Sequence, residues 1–368
     1  MCEKMMYENE LKAIVKASRF RERKIYDNSL IDFASNDYLG LSEKKQLLKR
    51  AYERVNMFPT HAPKASLMVN GYHEIHYEFE EFLCRQNGFE AAHVVGSGFL
   101  ANLSLIEALP RKADVLLMDE EYHASGILAS KLLSCEVCFF KHNDAEALEK
   151  LLQSKKYKRA IVAVEGIYSM SGDVLNRDIF DVVDRYNTVL IVDEAHSSGV
   201  IGKNLLGVFD LYDISPKENY IKMGTLGKAY GSYGAYILSS NHIRDFLQNR
   251  AKALIYATAP SLFDIALAHQ GMLYIFKHKT RLHQEFLARI DLIQELFCKE
   301  ISGLIFPYYV QNSQEVLLLQ KQLQKEGFLV GAIRPPTVNV AMLRIIPRLN
   351  VDFEVTKNFF NKLKEMTF

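Results

Sequence analysis

Residues 189–196 read VLIVDEAH, an apolar run that ends in two acidic residues and a histidine. Such a run, followed at once by polar residues, indicates a buried strand with a loop at its carboxyl end. Similar apolar runs occur at 92–95, 115–118 and 160–164, and they alternate with helical periodicity at 99–109, 145–153 and 177–186. Alternating strands and helices predict an α/β domain with a mainly parallel sheet and helices on both faces.

The polar motifs of the chain follow the predicted strands. They lie at 96–99, 119–123, 165–173 and 193–196. In an open parallel sheet, ligands bind at the edge where the carboxyl ends of the strands meet. The sequence therefore predicts one site that collects all four motifs.

Lys228 lies downstream of these motifs, in the segment GTLGKA at 224–229. Small flanking residues allow its amine to reach a bound carbonyl group without steric crowding. Asp193, at the end of a predicted strand, can hold a cationic ring nitrogen. Together, Lys228 and Asp193 predict a pyridoxal phosphate enzyme in which both residues are catalytic.

Three other classes of protein share parts of this pattern. The acidic box of nucleotide-driven helicases resembles VLIVDEAH, but the chain lacks the required phosphate loop G-x-x-x-x-G-K-[ST]. Residues 96–101 imitate a dinucleotide fingerprint, because a helix N-terminus binds any phosphate, yet a dinucleotide domain would leave Lys228 and His123 without a role. The G-x-S-x-G elbow of serine hydrolases is also missing.

Composition narrows the choice of partners. The 368 residues are 49% hydrophobic, and 45 basic residues nearly balance 44 acidic ones. This balance gives no electrostatic reason to expect nucleic acid or a membrane surface, so we expect a small-molecule substrate. The charged start and the lack of a long apolar run predict a cytoplasmic protein. Cys135 and Cys138 form a C-x-x-C within a predicted strand, which we interpret as structural, with no metal site.

We predict three parts in the chain: an N-terminal arm at 1–35, a large cofactor-binding domain at 36–245 and a smaller domain at 246–368. The arm contains an amphipathic helix at about 8–23. The smaller domain begins with two helices and continues with weaker strands, and these segments lie at 262–276, 282–297, 303–310 and 329–333.

Six motifs occur in the order and spacing typical of one family. They are NDYLGL at 36–41, SGF at 97–99, HAS at 123–125, SM with GD at 169–173, DEAH at 193–196 and GTLGK at 224–228. Over nearly its whole length the chain thus resembles the α-oxoamine synthases. The resemblance implies a fold-type I pyridoxal phosphate transferase with a seven-stranded type of sheet and a smaller α+β C-terminal domain. It further implies a homodimer with its active sites at the subunit interface, which condenses an amino acid with an acyl thioester and releases carbon dioxide.

The resemblance also assigns roles to residues around the cofactor. His123 is expected to stack on the cofactor ring, and His196 to hydrogen-bond its phenolic oxygen. The remaining cofactor-binding residues it implies are Gly98, Phe99 and Thr225 at the phosphate, Ser169 near the cofactor, and Thr258 from the partner subunit. Lys228 is expected to act as the base once the amino acid has displaced it.

Arg344 matches the arginine that grips the amino acid carboxylate, with Asn36 assisting it. Arg21 is expected at the mouth for the acyl substrate, although a solvated helix position explains it equally well. Thr337 lies in AIRPPTV at 332–338, a string that resembles the branch of the family using L-alanine and a pimeloyl thioester, on coenzyme A or acyl carrier protein, in biotin biosynthesis.

Alternatives remain open at this stage. They are a glycine-using ligase or a long-chain acyl enzyme of the same family, and a non-catalytic cofactor-binding module of the same fold. Two segments depart from the family pattern. Residues 61–68 read HAPKASLM where a Gly/Ser-rich loop is usual, and the segment between Thr337 and Arg344 is short and lacks glycine. We therefore expect an acyl pocket of altered shape.

Overall fold

The structure is a computed structural model that describes residues 6–17 and 19–366. Its strands are β1 (Ile31–Asp32), β2 (Ala91–Val95), β3 (Val115–Asp119), β4 (Glu136–Phe140), β5 (Ala160–Glu165), β6 (Val189–Asp193), β7 (Tyr220–Thr225), β8 (Ala235–Ser239), β9 (Phe306–Tyr309), β10 (Phe328–Leu329), β11 (Gly331–Ile333) and β12 (Met342–Ile345).

The α-helices alternate with these strands through most of the chain. They are α1 (Glu8–Lys16), α2 (Lys45–Asn56), α3 (Glu74–Asn87), α4 (Gly98–Ala108), α5 (Ala124–Ser130), α6 (Ala145–Ser154), α7 (Asp178–Arg185), α8 (Val208–Leu211), α9 (Asn241–Arg250), α10 (Lys252–Ile255), α11 (Leu262–Phe297), α12 (Ser313–Lys325) and α13 (Phe353–Glu365).

Seven strands form the central sheet in the order β2-β8-β7-β6-β5-β3-β4. All pairs are parallel except those of β8, which runs antiparallel to β2 and β7. Side chains alternate between the faces: Val162 and Val164 of β5 belong to one apolar core, and Ile161 and Ala163 to another. A strand that is buried on both faces must be covered on both, so the prediction of a mainly parallel sheet between two helix layers is confirmed.

A smaller C-terminal domain follows the sheet. Its three strands pair antiparallel in the order β11-β12-β9, and α12 and α13 cover them. Phe33 packs into the same core, stacked on Phe359 with ring centroids 4.2 Å apart. Because β1 pairs with β10, the end of the N-terminal arm is attached to this domain.

Two helix predictions were wrong. The opening helix, predicted over about 8–23, ends at Lys16, and it buries none of its own residues, so no packing supports a longer helix. The two helices predicted at 262–276 and 282–297 are one helix, α11, of 36 residues. The intervening residues 277–281, KHKTR, contain no glycine or proline, and their polar side chains need no turn to reach water.

The sheet requires glycine where β7 passes β8. A Cβ atom on Gly224 would lie 2.4 Å from Tyr236 Oη, so no larger residue fits there. The sequence analysis did not identify β7 or β8, and in β7 a buried lysine, Lys222, interrupts the apolar pattern.

Across residues 6–17 and 19–366, no helix is both long and apolar enough to cross a membrane, and no cluster of His, Cys, Asp and Glu could hold a metal ion.

Candidate active site

A cavity of about 220 Å³ lies at the carboxyl ends of the central strands. It is lined by Gly98, Phe99, Asn102, His123, Glu165, Asp193, Ala195, His196, Met223, Thr225 and Lys228. Seven of the residues predicted from the sequence therefore meet here, as expected for loops that follow neighbouring parallel strands.

Lys228 follows β7 and projects its amine into this cavity. Its Nζ atom lies 2.7 Å from Nε2 of His196. Burial lowers the pKa of Lys228 from 10.5 to about 8, although the carboxyl group of Asp193 opposes the shift. The amine can therefore lose its proton close to neutral pH, as a nucleophile or a base requires.

His196 continues a chain of polar contacts away from Lys228. Its Nδ1 atom lies 2.5 Å from Tyr38 Oη, and the Tyr38 hydroxyl lies 3.4 Å from Asn36 Oδ1. Burial, with the nearby positive charge of Lys228, holds the pKa of His196 well below its usual value. A neutral ring can accept a hydrogen bond from Lys228 at Nε2 and donate one to Tyr38 from Nδ1.

Asp193 is the last residue of β6 and is almost fully buried. Its carboxylate accepts hydrogen bonds from Asn102 Nδ2 at 2.8 Å and from the backbone N–H of Ala195 at 2.9 Å. Tyr122 fixes the Asn102 amide by donating to its Oδ1 at 2.6 Å. Each oxygen of this buried side chain therefore has a hydrogen-bond donor within the site.

His123 and the start of α4 border the same cavity. Ser125 Oγ lies 2.7 Å from His123 Nδ1, and burial lowers the pKa of this histidine. At α4, the Ser97 side chain accepts from the N–H of Leu100, whereas Gly98 and Phe99 begin the helix beside the cavity. The first N–H groups of a helix lack intrahelical acceptors and form an anion-binding site.

Arg344 lies on β12 with 5% of its surface exposed, outside the lining of the lysine cavity. Its Nε atom donates to the carbonyl oxygen of Ser169 at 2.7 Å, and Nη1 donates to Asn36 Oδ1 at 2.9 Å. Nη2 is buried and has no hydrogen-bond partner in the part of the chain that the structure describes. A buried guanidinium donor without a partner is suited to an incoming carboxylate.

Arg21 and Thr337 lie together at a second, larger cavity of about 720 Å³. This arm cavity is lined by Leu11, Ile14, Arg19, Phe20, Arg21, Ala332, Ile333, Arg334, Pro335, Pro336 and Thr337. Ala332 and Ile333 of this lining belong to β11, and Gly331 of the same strand pairs with Arg344 of β12.

Thr258 and Ser169 do not line either of these cavities. Thr258 is exposed and forms a β-bridge with Ser66. The sequence analysis gave no role to Tyr38, Asn102 and Glu165, although all three contact or line the site. Two features could have indicated Asn102 and Glu165. Asn102 lies one helical turn after Gly98, and Glu165 ends a strand beside the strand of Asp193.

The model of the aminotransferase class I and II family matches residues 28–363. An 8-amino-7-oxononanoate synthase from Helicobacter pylori is 45% identical over 97% of this chain and 96% of its own length. The crystal structure of an 8-amino-7-oxononanoate synthase from Francisella tularensis has a TM-score of 0.77 and 26% identity, covering 92% of this chain and 98% of that one. A structure of SPT with PLP has a TM-score of 0.87 and covers 98% of this chain and 96% of that one, and at 20% identity this likeness shows the fold alone.

Proposed function

The chain belongs to the aminotransferase class I and II family, and we propose that it catalyses the reaction of its 8-amino-7-oxononanoate synthase relatives. That reaction is the decarboxylative condensation of L-alanine with a pimeloyl thioester, dependent on pyridoxal phosphate, in biotin biosynthesis. The observation that carries the proposal is the single cavity in which Lys228 meets Asp193, His123 and His196.

The groups around the cavity fit pyridoxal phosphate chemically. The buried Asp193 carboxylate can hold the ring nitrogen in its protonated form, and His196 can contact the phenolic oxygen. The first N–H groups of α4 at Gly98 and Phe99 can bind the phosphate, with Thr225 beside them. When bound, the cofactor stabilises the negative charge that develops at the α-carbon of the amino acid.

Lys228 is the proposed base for the α-proton. With a pKa of about 8, the amine is poised to accept a proton near physiological pH and to return it later. The neutral His196 imidazole, 2.7 Å from Nζ, orients the amine and links it through Tyr38 to the substrate side of the site. His123 borders the same cavity and is the proposed stacking partner of the cofactor ring.

Arg344 is the proposed binding residue for the alanine carboxylate. Two of its three nitrogens already hold Ser169 and Asn36, so the guanidinium plane is fixed before substrate binds. The remaining nitrogen, Nη2, would gain the partner that it lacks among the described residues. A preoriented donor loses little side-chain entropy on binding and therefore favours a planar carboxylate.

The acyl chain is proposed to enter by the arm cavity, where Arg21 and Thr337 lie. Its mixture of arginines and apolar side chains suits an aliphatic chain with charged ends. We further propose a cytoplasmic homodimer in which Thr258, exposed on its own chain, reaches the phosphate of the partner's site. A large cofactor-binding domain at 36–245, with the C-terminal domain beginning at 246, is part of the same proposal.

The test is to load the protein with pyridoxal phosphate and measure carbon dioxide release from L-alanine and pimeloyl thioester. We expect release with the wild-type protein and a loss of at least about four orders of magnitude in Lys228→Ala, which removes both the covalent attachment point and the base. Lys150→Ala, at an exposed lysine, is the matched control and should retain full activity.

Three other results of this test would indicate a different function. Condensation with glycine alone would replace the proposal by a glycine C-acetyltransferase (2-amino-3-ketobutyrate ligase) type of reaction. A requirement for long acyl chains would indicate a long-chain α-oxoamine synthase. Absence of cofactor binding at Lys228 and of any condensation would leave a non-catalytic module.

A further inference from the structure

Glu165 is a buried carboxyl group in the lysine cavity that the roles proposed above do not use. It ends β5, is 2% exposed and lines the cavity together with Lys228. Its Oε2 atom accepts a hydrogen bond from the backbone N–H of Ser169 at 3.1 Å. Its Oε1 atom is buried and has no hydrogen-bond partner anywhere in residues 6–17 and 19–366.

The neighbouring carboxyl group, that of Asp193, has more hydrogen-bond donors around it than that of Glu165. Glu165 and Asp193 are paired positions on the parallel strands β5 and β6. Asp193 accepts two hydrogen bonds, one at each oxygen, whereas Glu165 accepts one. Two adjacent buried carboxyls do not both ionise readily, and the one with fewer donors keeps its proton.

Burial raises the pKa of Glu165 well above its usual value, and the charge of Asp193 adds to the shift. The groups that face it from other elements are Asp119 of β3, the Lys228 amine and the hydroxyls of Tyr38, Tyr122 and Tyr168. Of these, only Lys228 carries a positive charge that favours ionisation of Glu165, and its effect on the pKa of Glu165 is smaller than the effects of burial and of Asp193.

We propose that Glu165 remains protonated and donates a hydrogen bond from Oε1 to an acceptor atom of the ligand that occupies the lysine cavity. This inference rests on the proposed function for the identity of that ligand, a pyridoxal phosphate carrying an amino acid. A buried carboxylic acid has one O–H to donate, and the other oxygen, Oε2, already accepts the backbone N–H of Ser169. The site thus keeps one carboxylate, Asp193, and one acid, Glu165, on adjacent strands.

Two substitutions at Glu165 distinguish the effect of its hydrogen bond to the ligand from the effect of a charge on its side chain. Glu165→Gln keeps a neutral side chain that can accept from Ser169 and donate toward the ligand, so kcat should stay within about threefold of wild type. Glu165→Met keeps the length but removes the donor, and kcat should fall about 100-fold, the usual cost of one preorganised donor. Loss of activity in both variants, or in neither, would overturn the proposal.

A spectroscopic titration tests the charge without reference to turnover. Because the change from a protonated Glu165 to glutamine exchanges one neutral group for another, the pH midpoint of the absorbance change of the bound cofactor should be the same in both proteins. If Glu165 were ionised, Glu165→Gln would remove a negative charge near Lys228 and lower that midpoint by about one pH unit. Such a shift would contradict the proposal.

Infrared spectroscopy provides a readout that does not depend on the proposed reaction. Burial also raises the pKa of Glu80, to about 7, so the readout is the difference spectrum of wild type minus Glu165→Gln at pH 7. This difference spectrum should show the carbonyl band of one protonated carboxyl group, and its absence overturns the proposal even if condensation is observed. If the band is present but no condensation occurs with any amino acid, the proposed function fails and the protonation of Glu165 stands.

Discussion

The lysine cavity and the arm cavity differ in how their walls are made. Around Lys228, the polar side chains follow buried strands, and other side chains hold several of them, as Asn102 holds Asp193. Around Arg21, the wall consists of an exposed helix, loop residues and the end of the short strand β11, and α1 buries none of its own residues. The difference shows that side-chain contacts hold the first cavity in place without a ligand, and we expect the second cavity to depend more on what binds there.

The largest effect that we expect concerns the free energy of unfolding, which the burial of Lys228 in the preformed cavity lowers. In the protein without cofactor, the pKa of Lys228 is about 8, against 10.5 for an unperturbed lysine. The unfolded chain therefore binds more protons than the folded one between these two pH values, and Lys228 destabilises the fold below pH 8. This penalty is on the order of 3 kcal/mol at pH 7 and shrinks as the pH rises toward 10.5.

Lys228→Met should accordingly raise the free energy of unfolding at pH 7, and its advantage over wild type should fall to about 1 kcal/mol by pH 10. Urea unfolding at the two pH values measures this difference. Lys150→Met, at an exposed lysine, should show no such pH dependence. A constant difference between wild type and Lys228→Met would mean that Lys228 is not desolvated.

A second prediction concerns Arg344, which borders the preformed region. Arg344→Lys offers a single ammonium group in place of a guanidinium that already bonds Ser169 and Asn36. We expect KM for L-alanine to rise about 30-fold, equivalent to about 2 kcal/mol, with a smaller effect on kcat. Steady-state kinetics with varied alanine gives both constants.

Arg177→Lys provides the control for Arg344→Lys, because Arg177 is exposed and pairs only with Asp181 in the described structure. Its KM for alanine should equal that of wild type. An unchanged KM in Arg344→Lys would remove Arg344 from the amino acid site and weaken the contrast between the two cavities.

The smallest effect is expected in the arm cavity. Arg21 is exposed, so Arg21→Ala should raise KM for the pimeloyl thioester only about threefold and leave KM for alanine unchanged. Arg23→Ala is the matched control, since Arg23 is exposed on the same arm but does not line the cavity. A rise of about 100-fold in Arg21→Ala would show that the arm cavity is as ordered as the lysine cavity.

The sequence predicted the lysine cavity well because its residues lie at strand ends, where local pattern determines position. Asp193 and His196 could be assigned to this site because they follow a predicted strand, whereas Lys228 was assigned from its GTLGKA segment, since β7 was not identified. The contact between Tyr38 and His196 joins residues 158 positions apart, and no periodicity encodes such a pair. The free Oε1 of Glu165 depends on the positions of all surrounding donors, which the sequence does not reveal.

Predictions were poorer wherever packing overrides local pattern. The opening helix was predicted too long because an amphipathic pattern does not reveal whether a partner surface exists. The division of α11 into two helices treated a polar stretch as a turn, although helix propensity continues through it. Arg21 and Thr337 were assigned to the substrate by family resemblance, and neither the resemblance nor a pattern in the residues predicted that they line one cavity.

Helix α11 limits where this chain could be joined to the chain of a relative to make a chimaera. Its 36 residues span about 54 Å; residues such as Leu262 and Phe286 belong to the core beneath the central sheet, while Leu292 and Ile293 belong to the core of the small domain. A recombination crossover within α11 would take the residues that pack beneath the central sheet from one parent and those that pack in the small domain from the other. Chimaeras that exchange the C-terminal wall of the arm cavity, residues 332–337, should therefore keep α11 from one parent and join after Phe297, where the helix ends.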